Sequence, residues 1–157
     1  MEQHFRRIEG IIILDIANYH KCNNIWDMSK KKELATKFYE ELKSGNRITF
    51  IYIKDNEYLG EVSLVFDRKD PDYTTEGKRI YLSRFLVKKE YRHKGIGKKL
   101  LNHIFEYAIK LGYSEMSVGV DLDNYIAILV YHKYGFNEII KVDEDKDGKY
   151  LKLLKKL

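Results

Sequence analysis

A short basic segment with two glycines is the part of this sequence whose residue types point most directly to chemistry. Residues 88–99 hold six Lys or Arg residues and His93, against one Glu. The segment follows a strand-like run that ends at Val87 and opens an amphipathic helix, so it offers the unpaired N–H groups of a helix N-terminus. Gly95 and Gly97 let a ligand approach the backbone closely. This combination predicts a binding site for a phosphate group.

Two common phosphate-binding loops do not fit this segment. A P-loop requires the pattern G-x-x-x-x-G-K-[ST], which occurs nowhere in the chain, and a dinucleotide fingerprint requires a third glycine where this sequence has Leu100. The pattern that remains is Arg92-x-x-Gly95-x-Gly97. The alternative interpretation is a basic strand-to-helix turn whose glycines serve its geometry alone.

A second motif lies downstream, after a strand-like run over 115–120. It places Asn124, Ala127, Tyr131 and the pair Gly135-Phe136 at fixed spacings. On a helix, Tyr131 would lie almost two turns after Asn124, and Asn124 suits the N-cap position. A phenol is a good general acid when its O–H points at a leaving group. Packing in the core is the alternative role for Tyr131.

Both motifs resemble those of the GNAT N-acetyltransferase superfamily. Arg92-x-x-Gly95-x-Gly97 is similar to its coenzyme A pyrophosphate loop, and residues 124–136 match its N-x-x-A-x-x-x-Y-x-x-x-G-F pattern at every defined position. The resemblance covers roughly residues 45–140, and the first forty residues match in layout only. It implies a single domain over 1–157 of the α/β (α+β) class. The expected sheet is mixed, mostly antiparallel and twisted, flanked by helices and splayed between its two central strands.

The resemblance also implies roles for particular residues. The end of the strand before the basic loop would pair with the amide arm of coenzyme A, and a backbone N–H near Leu86 or Val87 would stabilise the oxyanion. Tyr131 would donate a proton to the leaving sulfur. The residues expected to bind the coenzyme are Phe85, Leu86, Val87, Arg92, His93, Lys94, Gly95, Ile96, Gly97, Lys98, Asn124 and Tyr131.

No general base can be identified from the sequence. Histone-acetyltransferase-like members of the superfamily carry a Glu at the position of Tyr81, and ribosomal N-terminal acetyltransferases carry one at the position of Gly119. Both departures weaken a protein-acetylation interpretation. Glu61, Asp121 or an ordered water molecule would then relay the proton, although for each carboxylate alone a solvated surface charge is the favoured interpretation.

The function implied by the resemblance is transfer of an acetyl group from acetyl-CoA to a primary amine of a small molecule, such as a polyamine, an amino compound or an aminoglycoside. Two alternatives stay open, namely a coenzyme A-binding regulatory module without turnover and a protein N-acetyltransferase. The polar 67–78 loop is expected to line the acceptor site, since loops on a rigid scaffold often carry specificity.

Hydrophobic periodicity and turn residues predict the elements that position these motifs. Helix 31–44 is expected to use Ser29 as its cap and Gly45 as its stop. The expected strands are 11–14, 47–54, 58–66, 79–87, 115–120, 136–142 and 150–155, and the expected helices are 19–28, 31–44, 95–111 and 124–134.

Composition narrows the remaining classes. The net charge is +5, but acidic and basic residues are mixed along much of the chain, and no nucleic-acid-binding signature accompanies them. Asp143-x-Asp145-x-Asp147-Gly148 lacks the Glu of a calcium-binding loop, because the required position holds Leu154, so an acidic hairpin turn is expected. The histidines and Cys22 show no metal-site spacing. With neither a signal-peptide pattern at the N-terminus nor a transmembrane run, we expect a cytoplasmic protein, for which a homodimer is one option.

Overall fold

The computed structural model describes residues 8–157. The N-terminal residues on which the expectation of no signal peptide rests, and His4 among the histidines, lie outside this range. The elements come in the predicted order. They are β1 (Glu9–Ile13), a 3-10 segment (Ile16–Asn24), a 3-10 turn (Met28–Lys30), α1 (Lys32–Ser44), β2 (Arg47–Lys54), β3 (Glu57–Val65), β4 (Arg79–Val87), a 3-10 turn (Lys89–Tyr91), α2 (Ile96–Lys110), β5 (Glu115–Asp121), α3 (Tyr125–Lys133), β6 (Glu138–Asp145) and β7 (Gly148–Lys156).

The strands form a seven-stranded sheet in the order β1-β2-β3-β4-β5-β7-β6. β1 with β2, β5 with β7 and β6 with β7 are antiparallel, whereas β4 and β5 are parallel. The β4–β5 register runs from Arg79↔Glu115 to Tyr81↔Ser117, so residues 82–87 of β4 extend past it. The predicted mixed, mostly antiparallel sheet is confirmed.

Contacts divide the chain into two compact units. The first runs up to Ser63 and includes Arg84–Ile104. In it, the first turns of α2 lie close to β3, because Gly60 has no side chain: a Cβ there would lie 3.1 Å from Leu100 Cδ1. A cluster of buried side chains packs beside the first 3-10 segment. It consists of Leu14, Cys22, Ile51, Ile53 and Tyr58.

Two turns of the first unit show how sequence sets local structure. Asp55 and Asn56 have φ of 52° and 66°, as a tight hairpin turn requires, and both residue types tolerate this conformation. Gly45 ends α1 with φ of 82°, as predicted. The prediction for Ser29 was wrong: Ser29 lies inside the 3-10 turn, where the Asp27 side chain accepts from its backbone N–H, and α1 starts after Lys31 without a side-chain cap.

The second unit comprises Leu64–Ser83 and Phe105–Leu157. Its β6–β7 hairpin closes at Asp145↔Gly148, which confirms the predicted acidic hairpin turn. The predicted short helix over 19–28, in the first unit, is instead the 3-10 segment Ile16–Asn24 followed by a separate 3-10 turn. The second unit's buried apolar side chains include Ile80, Leu82, Met116, Val118, Phe136 and Leu153.

Candidate active site

The basic loop joins β4 to α2 within the first unit. His93 and Gly95 both have positive φ, 63° and 85°, so the backbone turns sharply twice before Ile96 starts the helix. Gly95 tolerates this conformation at no steric cost, whereas it is uncommon for a histidine. Strain of this kind concentrates at ligand-binding turns. The first turn of α2 contains no acidic residue and carries Lys98 and Lys99, although like charge opposes the positive end of a helix dipole. An anion at this position would relieve that repulsion.

Gly97 is required for a reason that the sequence did not show. A Cβ at this position would lie 3.0 Å from Cζ of Phe85, the first of the β4 residues expected to bind the coenzyme. Gly97 therefore lets α2 begin directly against the end of β4. Around Gly95, by contrast, a Cβ would meet nothing within 4 Å, so its requirement lies in the backbone conformation.

Arg92 lies back against the strand that precedes it. Its Nε donates a hydrogen bond to the Val87 carbonyl oxygen at 3.0 Å, which brings two of the predicted site residues together. The Lys94 ammonium lies 5.3 Å from the centre of the Tyr91 ring. Both side chains are exposed, as are His93 and Lys98. The cations of this loop thus remain accessible to a ligand from solvent.

The end of β4 is unusual in its backbone. Arg84 has φ of 59°, which is rare for a residue within a strand. It directly precedes Phe85, Leu86 and Val87, all of which are partly exposed. Just after the strand, the Lys88 N–H donates to the Leu59 carbonyl oxygen of β3 at 2.7 Å. Sequence reasoning missed Arg84, because nothing in its residue type indicates a positive φ.

Tyr131 lies on α3 in the second unit. Its side chain is buried and packs edge-on against Phe136 at 5.5 Å between ring centres. Burial, together with the nearby Tyr81 phenol, raises the pKa of Tyr131 above the usual range of a tyrosine. The phenol is therefore protonated at every physiological pH, as a proton donor must be.

The other motif residues of this segment have structural roles. Asn124 caps α3, where its Oδ1 accepts from the Ala127 N–H at 3.2 Å, as its residue type predicted. Gly135 has φ of 98° and ends the helix. The Phe136 N–H donates a hydrogen bond to the Tyr131 carbonyl oxygen at 3.0 Å, and the Phe136 ring is fully buried. These contacts fix the backbone on either side of Tyr131.

The two carboxylates considered as bases differ sharply. Asp121 is exposed at the end of β5. Glu61 lies in β3 and is only 3% exposed, so the expectation of a solvated surface charge was wrong for this residue. Burial raises the pKa of Glu61 to about 7, although Trp26, Arg84 and Arg47 partly oppose the rise. The Trp26 indole N–H is close enough to lower the Glu61 pKa, although its geometry does not meet the criteria for a hydrogen bond.

A family model described as "Acetyltransferase (GNAT) family" matches residues 14–136. This range contains the basic loop, the strained end of β4 and the Tyr131 helix. The chain belongs to the GNAT acetyltransferase family. It is therefore an N-acetyltransferase-type enzyme, as the two motifs predicted.

Two relatives of this acetyltransferase are named for small amines, whereas a third, 35% identical over 75 residues and covering 47% of this chain and 44% of that protein, is an N-alpha-acetyltransferase 50 of Danio rerio. The chain is 33% identical over 133 residues to a thialysine N-epsilon-acetyltransferase of Sus scrofa, covering 84% of this chain and 78% of that protein. It is 32% identical over 69 residues to a probable spermine N(1)-acetyltransferase of Bacillus subtilis subsp. natto, covering 42% of this chain and 45% of that protein. Among solved structures, an aminoglycoside 6'-N-acetyltransferase complexed with coenzyme A has a TM-score of 0.74 at 15% identity, over 94% of this chain and 96% of the other. That likeness shows the fold.

The acetyltransferase's 67–78 loop is held by a buried lysine of β7. Lys152 Nζ lies 3.0 Å from both Asp70 and Asp72 and 3.5 Å from Asp143. Within the same loop, the Arg68 guanidinium lies 5.2 Å from the centre of the Tyr81 ring. The loop is therefore fixed in place by charge pairs. That it lines the acceptor site stays a prediction.

The described residues contain no group of three or more His, Cys, Asp or Glu side chains arranged to hold a metal ion. Within residues 8–157, no helix has the length and apolar character needed to cross a membrane.

Proposed function

We propose that the protein transfers an acetyl group from acetyl-CoA to a primary amine of a small molecule, with Tyr131 as general acid. The observation that carries the proposal is the basic loop at the start of α2, where two positive-φ residues and exposed cations accompany a helix N-terminus. The small-amine acceptor is supported by the relatives named for thialysine and spermine.

The loop's residues fit the phosphates of coenzyme A by charge and by backbone geometry. We expect the N–H groups of residues 92–98 to hold the pyrophosphate, with Arg92, Lys94 and Lys98 supplying charge. His93 and Ile96 would contribute through the same backbone segment. Asn124 retains its side-chain NH₂ group for the coenzyme arm, because the helix cap uses only its Oδ1.

The partly exposed end of β4 supplies the groups nearest the reaction. Acetyl-CoA brings the thioester whose carbonyl carbon the amine attacks. We propose that main-chain groups of Phe85, Leu86 and Val87 pair with the amide arm, and that one N–H of Leu86 or Val87 stabilises the oxyanion. One such donor is typically worth about 3 kcal/mol in acyl-transfer enzymes. Tyr131, held protonated by burial, would deliver its proton to the departing thiolate.

The two alternative functions make different predictions. A coenzyme-binding regulatory module would bind acetyl-CoA without releasing thiol, and a protein N-acetyltransferase would act on peptides. The positions of Tyr81 and Gly119, where protein acetyltransferases of the superfamily carry Glu, speak against the second. We further propose that residues 1–157 act as one catalytic domain in the cytoplasm, as a monomer or a homodimer.

A thiol-release assay across an acceptor panel tests the proposal. The panel contains spermine, thialysine, an aminoglycoside and a set of peptides, each at fixed acetyl-CoA concentration. Amine-dependent thiol release with at least one small amine, accompanied by acetylated product in the mass spectrum, supports small-molecule transfer. Release with peptides alone would favour protein acetylation, and acetyl-CoA binding without release above hydrolysis would favour the regulatory module.

A further inference from the structure

Three buried polar atoms of the first unit have no hydrogen-bond partner among the described residues. They are Nε1 of Trp26, Oε1 of Glu61 and Nε of Arg84. Trp26 is 8% exposed and Glu61 is 3% exposed. Since buried polar groups in native proteins are almost always paired, three orphans in one place require an explanation. Leaving a buried donor or acceptor unpaired is unfavourable for folding.

The three groups are neighbours. The Arg84 guanidinium stacks on the Trp26 ring at 4.3 Å from its centre. The charges of Arg84 and Glu61 stabilise one another, and the Trp26 indole lowers the Glu61 pKa. Two of the orphan atoms are N–H donors and the third is a carboxylate oxygen. Such a set matches one small group that accepts two hydrogen bonds and donates one, as a water molecule does.

This cluster borders the part of β4 that we assign to the thioester. Arg84 directly precedes Phe85 and holds the strained φ of 59°. On β3, Gly60 directly precedes Glu61 and packs on the same segment, since a Cβ at Gly60 would lie 3.2 Å from the Leu86 carbonyl oxygen. Strain and unsatisfied polar groups therefore occur together, next to the residues expected to hold the reacting carbonyl.

The charges that face Glu61 come from several elements. Arg47 of β2 and Arg84 of β4 favour its ionised form. Tyr19 and Cys22 of the first 3-10 segment face it with neutral groups, because burial and the Glu61 charge raise the pKa of each. Arg47 is itself held by Glu41, at 3.1 Å. A carboxyl in these surroundings exchanges a proton near neutral pH, as a general base requires.

We propose that Glu61 is the proton acceptor of the acetyl transfer, acting through a water molecule that the Trp26 and Arg84 N–H groups hold. The inference rests on the proposed function. Because Glu61 is only 3% exposed, one intervening water provides its route to the acceptor. The primary ammonium of the acceptor loses a proton through this water to the carboxylate. Trp26 and Arg84 are positioning residues for the water.

The remaining bond changes then balance. The nitrogen lone pair forms the C–N bond at the thioester carbon, and the electron pair of the C–S bond leaves on sulfur. Tyr131 gives its proton to that thiolate, and the phenolate regains one, through solvent, from the cationic nitrogen that the attack creates, which leaves the neutral amide. The sum is an ammonium ion and a thioester converted to an amide, a thiol and one proton, which Glu61 returns to solvent.

Glu61→Gln tests the assignment, because the amide keeps the size of the side chain and cannot accept the proton. With an acceptor identified in the panel above, we expect kcat to fall by about 10²–10⁴-fold. The wild-type kcat should rise with pH through an acidic limb near 7, and this limb should be absent from the variant. Trp26→Phe, which retains a ring without the N–H, should lower kcat and move the limb to higher pH. Acetyl-CoA affinity by calorimetry should be unchanged in both.

Glu115→Gln is the matched control, since it makes the same change at another buried glutamate. It should keep the wild-type limb and kcat. An unchanged kcat and limb in folded Glu61→Gln would overturn the assignment while leaving the proposed function intact. Absence of amine-dependent turnover in the wild type would instead overturn the proposed function. A limb lost equally in Glu61→Gln and Glu115→Gln would show that general damage, and not proton transfer, is the cause.

Discussion

Glu61 and Glu115 are equally inaccessible, at 3% exposure each, yet their surroundings differ in every other respect. Glu115 is covered by long cationic side chains: Arg79 lies 3.3 Å away, and Lys156 and Lys78, both 62% exposed at the side chain, pair with it from the surface. Glu61 projects from β3 beside Trp26, with one oxygen unpartnered among the described residues. The same side chain thus has its pKa lowered in one place and raised in the other.

The opposite pKa shifts of Glu115 and Glu61 indicate that one buried carboxyl stabilises the fold and the other does not. At Glu115, hydrogen bonds from Lys156 and Arg79 outweigh the loss of solvent, so ionisation and folding favour each other. At Glu61, loss of solvent dominates, so the folded state favours the neutral acid. The raised pKa of Glu61 lowers the stability of the folded state near neutral pH, so stability does not explain this arrangement. Perturbed, poorly satisfied carboxyls of this kind concentrate at catalytic sites.

Tyr131→Phe should give the largest loss of activity outside the Glu61 cluster. Removing the hydroxyl keeps the ring against Phe136, so we expect the fold to survive and kcat to fall by about 10²–10⁴-fold with little change in acetyl-CoA affinity. Because burial raises the phenol's pKa, no loss of wild-type rate from Tyr131 ionisation should be visible up to pH 10. Steady-state kinetics with an identified acceptor measures both. Equal kcat in the two proteins would show that Tyr131 only packs.

The two glutamates should also differ in how each makes the free energy of unfolding depend on pH. The folded-state pKa of Glu61 is raised from 4.5 to about 7, so its contribution is fully present below 4.5 and is lost as the pH rises through 7. We expect this loss to be about 3 kcal/mol. Urea unfolding at pH 5 and pH 8 should show a smaller decline in Glu61→Gln than in the wild type. An identical decline would mean that Glu61 titrates normally.

Glu115→Gln should behave in the opposite sense. Its folded-state pKa is lowered, so its contribution is present above the unfolded value and is lost as the pH falls through the folded one. We expect the variant to be destabilised by about 1 kcal/mol at pH 7, since Lys78 and Lys156 are well solvated. The difference from the wild type should shrink toward pH 3. A loss that grew at acidic pH would contradict the ion-pair interpretation.

Charge reversal in the basic loop tests the predicted phosphate site of the first unit. Arg92→Glu places a negative charge where we expect the pyrophosphate and removes the hydrogen bond to Val87, so acetyl-CoA should bind at least about tenfold more weakly, or about 1.4 kcal/mol. Lys89→Glu makes the same charge change at an exposed residue outside the predicted site. Calorimetry that showed equal affinities for the two variants would remove the phosphate-site assignment.

The sequence predicted the parts of the molecule that local patterns determine. Alternating and periodic apolar residues located the strands and long helices within a few residues, and the spacing of Asn124, Ala127 and Tyr131 predicted a helix and its cap. Short elements were harder. Asp27 and Ser29 are both good capping residues, and it is Asp27 that caps a 3-10 turn before α1 begins.

Features that depend on packing of distant segments could not be read from the sequence. Nothing in Ser83-Arg84-Phe85 indicates the positive φ of Arg84. The closeness of Gly97 to Phe85 depends on how β4 and α2 pack against each other, which no local pattern predicts. Glu61 did give a signal, as the single charged residue in the run from Tyr58 to Val65. A solvated surface charge would fit a strand with one exposed face, whereas both faces of β3 are covered.

A paired measurement on two variants tests most directly whether the two buried glutamates have separate uses. At pH 7.5, kcat with an identified amine acceptor and the free energy of unfolding in urea are determined for the wild type, Glu61→Gln and Glu115→Gln. Glu61→Gln should lose about 100-fold or more in kcat with stability equal to or above that of the wild type, and Glu115→Gln should lose stability with kcat unchanged. Full kcat in Glu61→Gln, or parallel losses of both quantities in the two variants, would contradict the assignment of Glu61 as the proton acceptor.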